Sequence, residues 1–258
     1  MKKLYKYLLN TLPRPLLIRL SYPFKAVAPI IYRGNNVTCP VCGNSFRKFL
    51  SYGSNVAHRE NVLCPYDLTL ERHRLMWLYL KNETDFFTAK KKVLHIAPEQ
   101  CFHSTFKKQK NLDYLTGDLE SPIADMHFDL HNVPLESNQF DVIFCNHVLE
   151  HVEDAHRCMK ELYRMMKPGG WGIFQVPQDF NLQETLEDPL ITDPKERERI
   201  FWQKDHVRLF GKDYPQWLEK AGFSVTIYDP KKQFSQEELE KYRLMPQELL
   251  YIAHKEME

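Results

Sequence analysis

Two aspartates stand where strands of the predicted sheet end. Asp118 follows the apolar run 112–117, and Asp129 lies near the end of the run 126–130. In open α/β sheets, ligands bind beyond the carboxyl ends of the strands, where a carboxylate accepts hydrogen bonds from ribose hydroxyl groups. Asp118 is therefore a candidate ligand of a cofactor that contains a nucleoside. The structural alternative is that Asp118 forms a turn after Gly117 and that Asp129 caps the turn that follows it.

Polar side chains that suit proton transfer follow the apolar run 140–145. Asn146 and His147 come first, and Glu150 and His151 follow them. Histidine has a pKa near neutral pH, so His147 is the candidate general base for an acceptor that must lose a proton. The alternative is a structural or positional role for His147. Glu150 and His151 are expected to support the structure or to face the substrate.

Clustered cysteines near the start of the chain predict a metal site. Cys39-Pro-Val-Cys42-Gly is one half of a zinc-knuckle pattern, and Cys64-Pro-Tyr-Asp67 mirrors it with an aspartate at the last position. Zinc accepts thiolate and carboxylate ligands in tetrahedral sites. The predicted ligands of a structural zinc ion are therefore Cys39, Cys42, Cys64 and Asp67. The open alternatives are His73 or His58 as the fourth ligand, and a decayed site in which Asp67 only caps the next helix.

Beyond residue 68, apolar patterns with helical and strand periods alternate. The predicted strands are 92–97, 112–117, 126–130, 140–145, 171–176, 223–228 and 249–253, and the predicted helices are 68–80, 155–166 and 214–221. This alternation indicates an α/β fold with a mostly parallel sheet covered on both faces. About eight residues separate the second and third strands, fewer than a parallel crossover usually takes, so the helix between them is expected to be missing or reduced to a turn. Residues 177–210 are expected to be irregular.

Three motifs occur on these elements in a fixed order. YLTGDLE at 114–120 is followed by MHFDLHNVPLESNQFDVIFCNHVLEHV at 126–152 and by ELYRMMKPGGWGIFQVP at 161–177. In this order and spacing they resemble class I S-adenosylmethionine-dependent methyltransferases (methyltransferase type 11-like), across residues 92–258. The resemblance implies a Rossmann-like sheet of about seven strands, mostly parallel with the last strand antiparallel. It also implies S-adenosylmethionine as cofactor and methyl transfer to a small-molecule or glycan acceptor.

The resemblance also assigns roles to single residues. Asp118 would hold the ribose, and Asp129 would accept a hydrogen bond from the adenine amino group. Similar methyltransferases have a histidine over the mouth of the active site, and His206 matches it as a second candidate catalytic residue. Arg208 would contact an acidic acceptor. The alternative for this segment is a surface hinge capped by Asp205. The other implied cofactor contacts are Ala97, Glu99, Leu119, Leu130 and Asn146.

The loop after the first strand departs from the family pattern, which has an acid followed by a glycine-rich turn. Here His95 takes the place of the acid, Ala97 and Glu99 take glycine positions, and no glycine occurs between Gly53 and Gly117. Glycine lets the backbone approach a ligand and adopt positive φ. We therefore expect Glu99 to bind the cationic amino group of the methionine end. The missing glycines also favour the alternative function, a catalytically degenerate methyltransferase fold that serves as a binding or scaffold protein.

The chain resembles, in its N-terminal part, a subgroup of these enzymes that carries a zinc-ribbon-like module followed by a Glu-Arg-His-Arg helix, here at 71–74. The predicted domains are a basic apolar segment (1–37), the zinc-ribbon-like module with its linking helix (38–75) and the methyltransferase domain (76–258). The six cysteines are expected to be reduced, as in the cytoplasm.

Charge is unevenly distributed along the chain. Residues 1–59 hold ten Lys/Arg and no acid, whereas the remainder holds 25 Lys/Arg against 34 Asp/Glu. Basic charge, apolar residues and prolines together predict that residues 1–37 contact an anionic membrane surface peripherally or pack on the catalytic domain. Nucleic-acid binding by the cysteine module is a third, less favoured option.

Overall fold

The computed structural model describes residues 27–53 and 58–257. Its strands are β1 (Arg33–Thr38), β2 (Ser45–Phe46), β3 (Leu50–Tyr52), β4 (Arg59–Leu63), β5 (Lys91–Ile96), β6 (Leu112–Asp118), β7 (Met126–His127), β8 (Phe140–Cys145), β9 (Met166–Ile173), β10 (Leu186–Glu187), β11 (Arg208–Leu209), β12 (Ser224–Tyr228) and β13 (Leu250–His254). The helices that lie wholly within this part are α1 (Glu71–Asn82), α2 (Gln100–Lys107), α3 (Ala155–Met165), α4 (Pro194–Phe201), α5 (Tyr214–Lys220), α6 (Pro230–Gln233) and α7 (Gln236–Tyr242). Most of the predicted membrane-contacting segment lies outside the described residues. Within them, no helix combines the length and the apolar character that crossing a membrane requires.

The described chain divides into two compact units. Residues 27–83 and 230–248 form the first unit, and residues 84–229 and 249–257 form the second. The predicted boundary at residue 75 does not coincide with this division, and the segment 230–248, between β12 and β13, belongs to the first unit.

The first unit is built from two antiparallel ribbons, β1–β2 and β3–β4, together with α1, α6 and α7. Its small core contains two of the predicted zinc ligands, and the buried members are Val37, Cys39, Phe46, Phe49 and Cys64. A core this small buries little apolar surface, and polar and ionic contacts must contribute to the stability of the unit.

Arg74 of α1 ties the parts of the first unit together. Its guanidinium is fully buried and donates hydrogen bonds to the carbonyl oxygens of Val62, Thr69, Tyr242 and Arg243 at 2.6–2.9 Å. Burial lowers the pKa of Arg74, and the nearby acidic groups oppose that effect. The second arginine of the Glu-Arg-His-Arg motif is therefore a structural clamp for the segment 230–248.

The second unit contains a seven-stranded sheet in the order β12-β13-β9-β8-β5-β6-β7. The pairs within β9-β8-β5-β6-β7 are parallel, and β13 runs antiparallel to both of its neighbours. The predicted α/β class I methyltransferase fold, with its antiparallel last strand, is confirmed. The expected loss of the crossover helix is also confirmed, because only residues 119–125 separate β6 from β7 and no helix forms there.

Several local predictions need correction. The helix predicted from residue 68 begins at Glu71, because Leu68 adopts a left-handed φ of 62° that ends regular structure there. The segment 177–210 is not irregular throughout, since it contains α4 and the β10–β11 ribbon. Asp193 caps α4 through the amides of Lys195 and Glu196, a start signal that the sequence carried with Pro194.

Candidate functional site

The carboxyl ends of three parallel strands meet at one edge of the sheet. In the register, Ile96 of β5 lies opposite Gly117 of β6 and Cys145 of β8. The residues that follow these positions therefore come together. We name this region the carboxyl edge, and its members are residues 97–99, Asp118, Asn146 and His147.

Glu99 supplies a carboxylate to the carboxyl edge from the loop after β5. Its Oε2 accepts a hydrogen bond from Nε2 of His95 at 2.5 Å, and its Oε1 accepts one from Nδ2 of Asn146 at 3.3 Å. The His95 side chain is fully buried, and its Nδ1 lies 2.8 Å from the hydroxyl oxygen of Tyr114. Burial raises the pKa of Tyr114, so its hydroxyl stays protonated. Where the resemblance predicts an acid, the chain thus has a buried histidine that fixes the carboxylate of Glu99.

Ala97 adopts the conformation that a glycine would adopt at its position. Its φ is 50°, and its N–H group donates a hydrogen bond to the carbonyl oxygen of Gly117 at 2.8 Å. A left-handed conformation costs an L-residue roughly 1–2 kcal/mol. The loop therefore keeps a glycine-like backbone path without glycine, and Glu99 follows as the N-cap residue of α2.

Asp118 forms a turn and still presents an oxygen at the carboxyl edge. Its Oδ1 accepts hydrogen bonds from the amides of Glu120 at 2.8 Å and Ser121 at 2.7 Å. Within the described part of the chain, no hydrogen bond reaches its Oδ2. The preceding Gly117 is required by close packing, because a Cβ atom there would lie 2.2 Å from Cζ of Phe128.

Asp129 occupies a turn beyond β7 and is mostly exposed. Its Oδ1 accepts hydrogen bonds from the backbone N–H of His131 at 2.9 Å and from Nδ1 of the same residue at 2.6 Å. These bonds lower the pKa of Asp129. Nε2 of His131 in turn accepts a hydrogen bond from the amide of Asp154, the N-cap residue of α3. The capping alternative for Asp129 is thus seen directly, and its adenine contact stays a prediction.

The two leucines that the resemblance assigns to the cofactor differ in exposure. Leu119, directly after Asp118, is 64% exposed, whereas Leu130 is 6% exposed and belongs to the main core. An exposed leucine beside a polar ligand candidate offers an apolar surface to a ligand.

His147 follows β8 in a left-handed conformation, with a φ of 56°. Its backbone N–H donates a hydrogen bond to the backbone carbonyl oxygen of Gln175. The backbone N–H of Gln175 in turn donates to Oδ1 of Asn146. Nδ1 of His147 lies 3.3 Å from Oε1 of Glu150, a carboxylate that is 1% exposed. The contact places a carboxylate oxygen beside Nδ1, whereas Nε2 of the same ring is buried.

His206 is a buried residue near two other potential ligands. It is 1% exposed, and its ring centroid lies 4.7 Å from that of His151. Burial lowers the pKa of His206. The sequence could not predict this meeting, because His206 is more than fifty residues away along the chain.

The contacts of Arg208 are structural. It is fully buried and donates hydrogen bonds to the carbonyl oxygens of Leu149, Val152 and Glu153. It also forms an ion pair with Glu187. The expected acceptor contact is replaced by a structural role, in which Arg208 holds the loop after β8.

The predicted zinc ligands converge in the first unit. One ligand atom from each of Cys39, Cys42, Cys64 and Asp67 lies within 4.8 Å of the others. The Sγ atoms of Cys42 and Cys64 are 3.9 Å apart, and tetrahedral Zn–S bonds of about 2.3 Å place two sulfurs about 3.8 Å apart. The donor set therefore fits a zinc ion, and it does so without His73 or His58.

The two carboxylate oxygens of Asp67 have different partners. Its Oδ1 accepts hydrogen bonds from the amide and the hydroxyl of Thr69, while its Oδ2 lies 3.1 Å from Sγ of Cys39. Asp67 does not cap α1, because the N-cap residue of that helix is Leu70.

The pKa values of the four groups shift in different directions, and metal ligands bind in the deprotonated form. Hydrogen bonds from Cys39 and Cys64 lower the pKa of the Cys42 thiol to about 4, whereas burial raises the pKa values of Cys39 and Cys64. Burial also raises the pKa of Asp67, to about 6.

Comparison with known proteins finds one family model that matches part of the second unit. Residues 87–174 match the family described as a methyltransferase domain. No curated protein matches the chain. The [4+2]-cyclase SpnF has a similar structure, with a TM-score of 0.52 at 12% identity over 93% of this chain and 96% of its own. An S-adenosylmethionine dependent methyltransferase from Mesorhizobium loti is similar over 69% of this chain and 96% of its own, with a TM-score of 0.45 at 14% identity. The likeness to SpnF supports the fold.

Proposed function

We propose that this chain, which carries a methyltransferase-family domain on the class I methyltransferase fold, transfers the methyl group of S-adenosylmethionine to a small-molecule or glycan acceptor. The observation that carries the proposal is the pair of carboxylates, Glu99 and Asp118, at the ends of the adjacent strands β5 and β6. A zwitterionic cofactor with a ribose needs two such groups, one for its ammonium and one for its hydroxyls.

The residues at the carboxyl edge fit the cofactor in character. Glu99 is held by two donors and carries the charge that complements an α-ammonium group. Oδ2 of Asp118 accepts from the ribose. The exposed side chain of Leu119 offers an apolar contact for adenine. When bound, S-adenosylmethionine supplies a methyl group already activated on sulfonium sulfur, so positioning contributes much of the catalysis.

His147 is the proposed base for an acceptor hydroxyl. The Glu150 carboxylate at its Nδ1 orients the ring and stabilises the protonated form that results from proton abstraction. The left-handed backbone holds this side chain at the end of β8, and strained residues of this kind are common at functional sites.

The acceptor class is supported by the segment that follows β9. Its exposed large apolar residues include two aromatic rings, and the set is Phe180, Leu186, Leu190 and Trp202. Aromatic rings at an exposed position suit the apolar faces of sugars and of ring-containing small molecules.

A catalytically degenerate binding or scaffold protein is the second candidate. The glycine-free loop favours it. SpnF, whose fold is similar, is described as a [4+2]-cyclase, which is a reaction other than methyl transfer. A fold therefore does not fix a reaction. Failure to bind the cofactor would favour this candidate over methyl transfer.

Calorimetry with S-adenosylmethionine and S-adenosylhomocysteine tests the proposal. Asp118→Asn is expected to weaken binding of both ligands by about tenfold or more, since a charged hydrogen bond contributes about 1.5–3 kcal/mol. Asp113→Asn, at the exposed opposite end of the same strand, is the matched control and should leave affinity unchanged. Equal affinities for all three proteins, or no binding by the wild type, would contradict the proposal.

We also propose that the cysteine cluster binds a structural zinc ion through Cys39, Cys42, Cys64 and Asp67. The convergence of these four ligand atoms and the 3.9 Å separation of two sulfurs support it. Structural zinc ions contribute directly to folding, so loss of the ion should destabilise the small first unit.

Metal analysis of the purified chain tests the zinc proposal. The wild type is expected to hold one zinc ion per chain, and Cys64→Ser should lose it and melt at a lower temperature. Cys101→Ser, at a half-buried cysteine in α2 outside the cluster, is the control and should retain the ion. A wild-type chain without zinc, or equal zinc in both variants, would refute the site.

A further inference from the structure

A second group of metal-ligating side chains lies beside the candidate base. One ligand atom from each of Glu150, His151 and His206 lies within 4.8 Å of the others. Glu150 and His206 are each 1% exposed, whereas the His151 side chain is 33% exposed. Two of its three side chains are therefore buried, and the third is partly exposed to solvent.

The ring of His206 is arranged as in a metal ligand. Its Nδ1 donates a hydrogen bond to the carbonyl oxygen of Phe201 at 2.8 Å, which places the lone pair on Nε2. Nε2 is buried, and no hydrogen-bond partner reaches it within the described part of the chain. Metal-binding histidines commonly donate their other ring N–H to a backbone carbonyl, and this fixes the tautomer.

His151 shows the same arrangement. Its Nδ1 lies 3.3 Å from the carbonyl oxygen of Asp205 and 3.4 Å from Oδ2 of that residue. Donation from Nδ1 to that carbonyl oxygen would leave the Nε2 lone pair of His151 available as a ligand. Two imidazoles and one carboxylate thus form the donor set.

Backbone contacts hold the two segments together before any ion binds. The amide of Val207 donates a hydrogen bond to the carbonyl oxygen of Glu150 at 2.9 Å. Arg208 donates to the carbonyl oxygens of Leu149 and Val152, on both sides of Glu150 and His151. The buried arginine therefore holds the loop of Glu150 and His151 against the segment of His206.

We propose that Glu150, His151 and His206 bind a divalent transition-metal ion. Two imidazoles and one carboxylate suit Zn²⁺, Fe²⁺, Co²⁺ or Ni²⁺, and three protein ligands leave coordination positions open. Bond lengths of about 2.0–2.2 Å require the ligand atoms to move closer together by roughly 1 Å, which side-chain rotation at the half-exposed His151 permits. Because Glu150 also contacts His147, an oxygen atom of the acceptor could occupy an open position of the ion beside the base. Only this last consequence rests on the proposed methyl transfer.

Cobalt titration of the full chain, with the cysteine cluster already loaded with zinc, tests the site. The wild type is expected to bind one further Co²⁺, with visible ligand-field bands and without the thiolate charge-transfer band that marks binding to the cysteines. His151→Ala is expected to weaken this binding by more than the roughly 10–100-fold that loss of an outer partner causes. His127→Ala, at an exposed histidine of β7, is the matched control and should bind cobalt as the wild type does.

A second variant keeps the test decisive. His206→Gln removes the buried ligand, and circular dichroism establishes whether this variant is folded. If it is unfolded, cobalt binding by His151→Ala, at the partly exposed ligand, decides the test. No Co²⁺ beyond the cysteine cluster, or equal binding by wild type and His151→Ala, would overturn the proposal. S-adenosylmethionine is titrated separately, so failure of the metal site and failure of the proposed methyl transfer are distinguishable.

Discussion

At the scale of single residues, the loop after β5 shows how a chain keeps a glycine-like path without glycine. Ala97 takes the left-handed conformation, and Glu99 places a carboxylate where His95 and Asn146 can hold it. The substituted positions were evident in the sequence. The pairing of His95 with Glu99 was not, because it depends on the turn geometry that brings position i+4 back over the strand end.

Ala97→Gly is expected to leave stability unchanged or raise it by up to about 1 kcal/mol. Glycine removes the cost of the left-handed conformation, which offsets its greater freedom in the unfolded chain. Ala253→Gly in β13, where the side chain is buried in a strand, should lower the free energy of unfolding instead. Urea denaturation measures the free energy of unfolding of both variants. If Ala97→Gly destabilised the protein as much as Ala253→Gly, the inferred backbone strain at Ala97 would be contradicted.

At the scale of elements, apolar patterns predicted the strands that carry the site. β8 was predicted at its observed bounds, and β5 and β6 within one residue at either end. β7, β10 and β11 have two residues each, and the pairing partner defines such strands more than any periodicity does. α2 was missed because its apolar signal rests on two buried phenylalanines, Phe102 and Phe106, in an otherwise polar segment.

The clamp formed by Arg74 should be essential for the first unit. Arg74→Met is expected to lower the free energy of unfolding by at least about 3 kcal/mol, since each buried carbonyl left without a donor costs about 1–3 kcal/mol. Lys81→Met, on the same helix but exposed, should change it by less than about 0.5 kcal/mol. Chemical denaturation measures the free energy of unfolding of both variants. Similar values for the two would show that the hydrogen bonds of Arg74 contribute little to stability.

At the scale of the whole molecule, the alternation of apolar patterns predicted the α/β class, and the family resemblance implied the antiparallel last strand. Neither predicted that residues 230–248 belong to the first unit. Arg74 donates hydrogen bonds to residues of this segment that lie about 170 positions away, and no local pattern encodes such contacts. The convergence of Cys39, Cys42, Cys64 and Asp67 agrees with the two Cys-Pro patterns and with the resemblance that predicted it, and zinc binding stays a prediction. The meeting of Glu150 with His206 required the folded chain.

In the proposed function, the Glu99 carboxylate takes over cofactor binding from the missing glycines and the missing acid. Isothermal titration calorimetry of S-adenosylmethionine into wild type and Glu99→Gln tests it most directly, with Glu120→Gln on the exposed turn as control. We expect Glu99→Gln to weaken binding by about tenfold or more, because the ionic hydrogen bond to the ammonium group is lost while the shape is kept. Unchanged affinity in Glu99→Gln would contradict a role of Glu99 in cofactor binding.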